Sequence, residues 1–122
     1  MAGVGRRQAY GEVLFRAWRT SAGPCVAEME YGCVQGLLKA ALHASTPQLA
    51  ASLRTVLDGF HQQKAAKGVD SMLTRVYEPL LFRALAAANP AVRANAAAVA
   101  FACFPLQVSC PIRHYDSLLR RV

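Results

Sequence analysis

The residues in this chain best able to hold a metal or attack a substrate are its cysteines and histidines, and their spacing supports neither chemistry. Cys25, Cys33, Cys103 and Cys110 contain no CxxC pair, and His43, His61 and His114 supply no second pair of ligands at finger spacing, so a zinc site has no sequence support. Three of the four cysteines sit in otherwise apolar stretches, where a reduced thiol is expected to behave as a small buried hydrophobe. A catalytic thiol is disfavoured because nothing pairs one with a base. No glycine-rich loop follows a strand pattern, no nucleophile, histidine and acid cluster in sequence, and no carboxylate pair is spaced for acid–base work. The expectation is a protein that is not an enzyme, with no cofactor and no small-molecule substrate.

What remains is charge and periodicity. The 122 residues are 54% hydrophobic and carry 14 Lys+Arg against 7 Asp+Glu, a net charge of +7. One domain at most fits that length, and the apolar content excludes a disordered tail. The positive balance suits an acidic partner, whether nucleic acid, anionic membrane or acidic protein, although no single run is polybasic. The opening "MAGVGRRQAYGEVLFRAW" has two arginines but no uninterrupted apolar core, which makes a poor secretory signal, and Glu12 counts against a mitochondrial presequence. Cysteine usage favours a reducing compartment.

Four turn or cap signals divide the chain: "AGP" (22–24), "STP" (45–47), "KG" (67–68) and "NP" (89–90). Proline at a first helical position loses no hydrogen bond and presets φ, so Pro24, Pro47 and Pro90 read as helix openers behind Gly, Thr or Ser, and Asn caps. Apolar residues then recur at the helical period: Leu49, Leu53, Val56, Leu57 and Phe60; Val69, Met72, Leu73, Val76, Leu80, Ala84 and Leu85; and, more faintly, Val26, Met29, Cys33, Leu37 and Ala41. "YGEVLFRAW" reads as the end of a further helix, behind a flexible basic N-terminus over residues 1–10.

Corresponding points recur at 44 residues from Cys25 to Val69 and 43 from Pro47 to Pro90. Helix pairs at that interval have the HEAT or armadillo period. The predicted fold is all-α, a HEAT-repeat α-solenoid fragment of about two and a half helix pairs over residues 11–106. Pro79 falls inside "MLTRVYEPLLFRAL", where it removes the bond to the Arg75 carbonyl; the choice lies between one kinked helix and two short helices broken at Glu78. In "NPAVRANAA", Asn89 caps, Val92 and Ala96 begin an inner face completed by Val99, Ala100 and Cys103, alanines allow close approach, and Arg93 is expected to pair along a ladder between repeats. The 19 uncharged residues between Arg93 and Arg113 are interrupted by Asn95, Pro105, Gln107, Ser109 and Pro111, which favours a buried helix over a membrane span.

"GVDSMLTRVYEPLLFRALAAANPAVRANAA", with "FP" at Phe104 and Pro105 and "LFRAWRTSAG", "EYGCVQ" and "FHQQK" upstream in the same order, resembles the HEAT-repeat G subunits of condensin II. The resemblance covers about Ala9 to Leu106. It implies a non-catalytic scaffold that binds a kleisin subunit and double-stranded DNA while separate SMC ATPases supply energy, acting in mitotic chromosome condensation in the nucleus, on chromatin. Lysines and arginines spread over stacked helices can neutralise phosphates without reading sequence. Lys64 and Lys67, between two helices, are the candidate DNA contacts; as solvated linker lysines they need no function.

The resemblance ends after Leu106. "QVS" at 107–109 is what CAG-GTG-AGC encodes, an exon end running into a splice donor, so residues 107–122 are expected to be a divergent tail of intron-derived or alternative sequence; "DSLLRR" could instead open a further helix. Beside the condensin reading stand an independent HEAT-repeat adaptor that binds a protein helix or disordered segment, a truncated product without function, and a small membrane or mitochondrial protein.

Overall fold

Pro24, Pro47, Val69 and Pro90 each begin a helix, so all four start signals are realised. In the computed structural model, which describes residues 2–104, α1 spans Ala2–Thr20. Helix α2 is continuous through Pro24–Ala27, a π-helical stretch Glu28–Val34, and Gln35–Leu42. Helices α3 (Pro47–His61), α4 (Val69–Leu85) and α5 (Pro90–Cys103) follow. The tail expected over 107–122 lies outside the described residues.

The caps account for the boundaries. Thr46 accepts from the Leu49 amide at 3.1 Å and Asn89 from the Ala91 amide at 2.9 Å, each satisfying an N–H that the first turn leaves without a carbonyl. Gly23 (φ 60°) and Gly68 (φ 84°) precede the other two starts in backbone conformations that a side chain disfavours. Upstream, α1 runs back to Ala2, through residues expected to be a flexible lead-in. Arg6, Arg7, Gln8 and Ala9 are good helix formers and extend the helix despite the nearby glycines.

The helices stack in two layers. Helices α1, α3 and α5 lie side by side in one; α2 and α4 form the other, with α2 against α3 and α4 against α5. Two complete pairs follow an unpaired α1, the half repeat that the periodicity predicts. The described residues are all-α, a helical-repeat arrangement. The core between the layers includes Leu38, Leu42, Leu57, Phe60, Met72, Leu73, Val76, Tyr77 and Val99, all at most 2% exposed.

Helices α1 and α3 touch backbone to backbone. A Cβ added at Gly11 would sit 2.5 Å from the Val56 carbonyl oxygen, and one at Gly59 would sit 2.5 Å from that of Gly11. Any side chain at either position forces the helices apart. Beside this notch, the rings of Phe15 and Trp18 from α1 meet Phe60 of α3 at 5.6 and 6.1 Å, both edge-on, the arrangement aromatic quadrupoles prefer.

Pro79 lies within an uninterrupted α4, so the reading of two helices broken at Glu78 is set aside. Met72, Leu73, Val76 and Tyr77 before it, and Leu81 and Ala84 after it, are buried. Their combined burial exceeds the roughly 3 kcal/mol that an interior proline costs. The ring itself is on the exposed side.

Candidate functional site

The cations singled out from sequence serve different purposes. Lys64 leaves the α3–α4 link and donates its ammonium to the Cys103 carbonyl at 2.7 Å, lies 3.5 Å from Asp70, and sits 4.8 Å from the centre of the Phe104 ring. It thus caps the C-terminal end of α5, where carbonyl lone pairs and the helix dipole both favour a cation. Lys67, three residues on, is exposed. Arg93 does not form the expected ladder between repeats: it turns back and donates to the carbonyls of Ala87 and Ala88 at 2.7 and 2.9 Å, in the link that follows α4.

Asn95 does similar work across the layers. Its amide donates to the Leu42 carbonyl at 3.0 Å, closing the C-terminus of α2 from α5. Two helix ends, those of α5 and α2, are therefore capped by side chains brought from elsewhere in the fold, while Arg93 ties down the link between α4 and α5. Asn89 caps, Val92 and Ala96 are buried with Val99 and Cys103, and Ala100 packs partly buried against them. Among the sequence-predicted residues, Asn89, Val92, Arg93 and Ala96 share α5 and its entry, Lys64 reaches the far end of that helix, and Pro79 stands apart on α4.

Two buried polar junctions have no counterpart in the sequence reading. In the first, the Glu30 carboxylate, on the π-helical stretch of α2, accepts from the Trp18 indole N–H at 2.8 Å and from the Arg75 guanidinium at 2.5 Å, joining α1, α2 and α4. The Glu30 side chain is 5% exposed, whereas that of Arg75 is 48% exposed. The hydrogen bond to Glu30, with a weaker one to Tyr31, raises the Arg75 pKa still further above its ordinary value. A buried carboxylate is tolerable here because both its oxygens are engaged and its counter-ion is already partly solvated.

In the second, His61 bridges Asp58 and Tyr77. Its Nδ1 lies 3.0 Å from Asp58 Oδ1 and its Nε2 2.9 Å from the Tyr77 hydroxyl. Burial lowers the His61 pKa against the opposing pull of Asp58, while burial raises that of Tyr77. The neutral ring with Nδ1–H donating to Asp58 and Nε2 accepting from Tyr77 satisfies all three groups. An acid, a histidine and a hydroxyl in line suggest general-base chemistry, but Tyr77 is 0% exposed. No substrate reaches that oxygen, and the junction is a joint between α3 and α4.

The thiols divide. Cys103 is buried, and burial pushes its pKa up to about 12, which keeps it protonated and inert. Cys25 and Cys33 are exposed, against the expectation of burial. Among the described residues, no cluster of three or more His, Cys, Asp or Glu could hold a metal ion, and no helix is long and apolar enough to cross a membrane. On the outer face of α4, Thr74, Arg75, Glu78, Pro79 and Phe82 line an open recess.

Comparison with known proteins decides the family. Residues 5–108 match the family model described as the condensin II non structural maintenance of chromosomes subunit. The chain belongs to that family. It is 44% identical over 97 residues to the condensin-2 complex subunit G2 of Danio rerio, covering 78% of this chain and 8% of the relative. The subunits G2 of Mus musculus, at 39% over 97 residues, and Homo sapiens, at 37% over 98, each match 79% of this chain. The chain spans only 8–9% of the length of these relatives. No solved structure matches.

Proposed function

We propose that this chain is a non-catalytic scaffold segment of a condensin II G2-type subunit, acting with the other condensin subunits in chromosome condensation. The observation that carries the reading is the family match over residues 5–108. On this reading it associates with the kleisin subunit and, through it, with the SMC ATPases, and its net charge of +7 contributes to the hold on double-stranded DNA in the nucleus. The stacked helices support a structural role: the buried His61 and Tyr77 and the protonated Cys103 are unsuited to turnover.

Lys64 and Lys67 have separate parts here. Lys64 is committed to the end of α5 and acts on DNA only by holding that end in place, whereas exposed Lys67 offers a direct phosphate contact. The test is duplex-DNA binding by the chain, joined to its natural repeat neighbours, across a salt series. Log affinity should fall linearly with log salt, and Lys67→Ala should reduce that slope by about one. Salt-independent or absent binding by the extended protein, with kleisin association retained, would leave a protein-binding helical-repeat adaptor instead.

A further inference from the structure

The short link between α2 and α3 contains Ser45, Thr46 and Pro47, and Thr46-Pro47 is the single Ser/Thr-Pro step in the 122 residues. Thr46 is exposed, with extended backbone at φ −132° and ψ 152°, the conformation that a following proline enforces. A kinase that selects proline after its acceptor reads an extended segment of this kind. The residues behind it offer little resistance: Pro47, Gln48 and Leu49 are all exposed, and Ala50 is the first buried residue of α3. Unwinding this first turn into a kinase groove therefore uncovers no core.

The site also favours the product. No acidic residue occurs between Glu30 and Asp58, while Lys39, His43 and Arg54 do. A phosphate adding about −1.5 to −2 charges meets no like charge in this stretch of sequence. The Thr46 oxygen already accepts from the Leu49 amide. A phosphate on the same oxygen supplies further acceptors to the first-turn amides, where the helix dipole favours negative charge.

The geometry points to Thr46 as the acceptor for a proline-directed protein kinase, with the phosphate replacing the hydroxyl as the cap on α3. The γ-phosphoryl group of ATP passes to Thr46 Oγ1: the Oγ1–P bond forms, the bond between the γ-phosphorus and the β,γ-bridging oxygen breaks, ADP leaves, and the hydroxyl proton goes to the base of the kinase. The modification adds negative charge to a stretch of sequence that has no acidic residue and leaves the fold in place.

The experiment treats the purified chain with ATP and a mitogen-activated protein kinase, beside a synthetic peptide of residues 41–51 and the Thr46→Val and Ser45→Ala chains, and maps the product by mass spectrometry. The expected result is one phosphoryl group on Thr46, added more slowly than to the peptide but to completion, absent in Thr46→Val and unchanged in Ser45→Ala. The thermal midpoint of the modified chain should rise by roughly 2–4 °C. A chain that stays unmodified while the peptide is labelled, failure to label either one, or a modified chain whose midpoint falls would overturn the proposal.

Discussion

The junctions at Glu30 and His61 solve one problem in opposite ways. Each places a titratable group among apolar side chains and ties separate helices together. At Glu30 the group is charged, because Arg75 approaches from the protein edge with nearly half its side chain in water, so one member of the pair keeps much of its hydration. At His61 the partner toward the core is a fully buried phenol that can donate one proton, and a neutral imidazole is what matches it. The counter-ions differ little in exposure, Arg75 at 48% and Asp58 at 38% of the side chain, so the second partner separates the junctions: an indole N–H suits a carboxylate, and a buried phenol suits a neutral ring.

Removing one member of each junction should separate the two designs, the larger effects coming from the charged one. Glu30→Ala leaves the Trp18 indole and Arg75 without their acceptor and should lower unfolding free energy by about 3 kcal/mol, whereas Glu30→Gln should lose about half as much. Urea denaturation measures both; equal losses would show that the charge is irrelevant. Tyr77→Phe removes the donor to His61 in the core and should lose about 1.5 kcal/mol. Trp18→Phe retains the aromatic contact with Phe60 and loses one hydrogen bond, for about 1 kcal/mol.

The smallest effect is the most specific to the neutral design. Burial lowers the His61 pKa below its ordinary 6.5, so the unfolded chain takes up the proton more readily than the folded one. Stability present in full above about pH 6.5 should then decline as pH falls through the lowered folded-state value, by less than about 1.4 kcal/mol per pH unit. Chemical denaturation between pH 7.5 and 5.5 should show the decline, and His61→Gln should flatten it. A slope unchanged in His61→Gln would assign the titration to other groups.

Helix number, helix starts and the two-layer repeat were legible because proline openers, polar caps and a 43- to 44-residue interval are local signals. The face of α2 was not. Of the stripe Val26, Met29, Cys33, Leu37 and Ala41, Ala41 is buried and Leu37 packs partly buried against the core, but Cys33 is exposed, and the chain buries Glu30, Val34, Leu38 and Leu42 beside them. The π-helical stretch Glu28–Val34 advances the chain by more than 3.6 residues per turn, so the buried positions fall four apart, and the first of them is a glutamate that a hydrophobic pattern passes over. The same limit applies to Leu49, placed on the α3 stripe yet 46% exposed, and to Tyr77 and Leu81, which the α4 stripe omitted. The helix-end contacts of Lys64 and Asn95 join residues 39 and 53 positions apart. No spacing rule reaches that far. The junction of Asp58 and His61 with Tyr77 likewise joins residues on two helices, His61 and Tyr77 lying 16 positions apart.

The notch where Gly11 meets Gly59 sets a distance that no repacking of side chains can tune, since main chain rests on main chain. Repeat arrays acquire their pitch by compounding the small rotation at each step. Most steps pass through side chains, whose size and rotamer can drift and let the rotation drift with them. This one is a fixed gauge: wherever helices continue the stack beyond α1, their direction is referred to a spacing set by two hydrogen atoms.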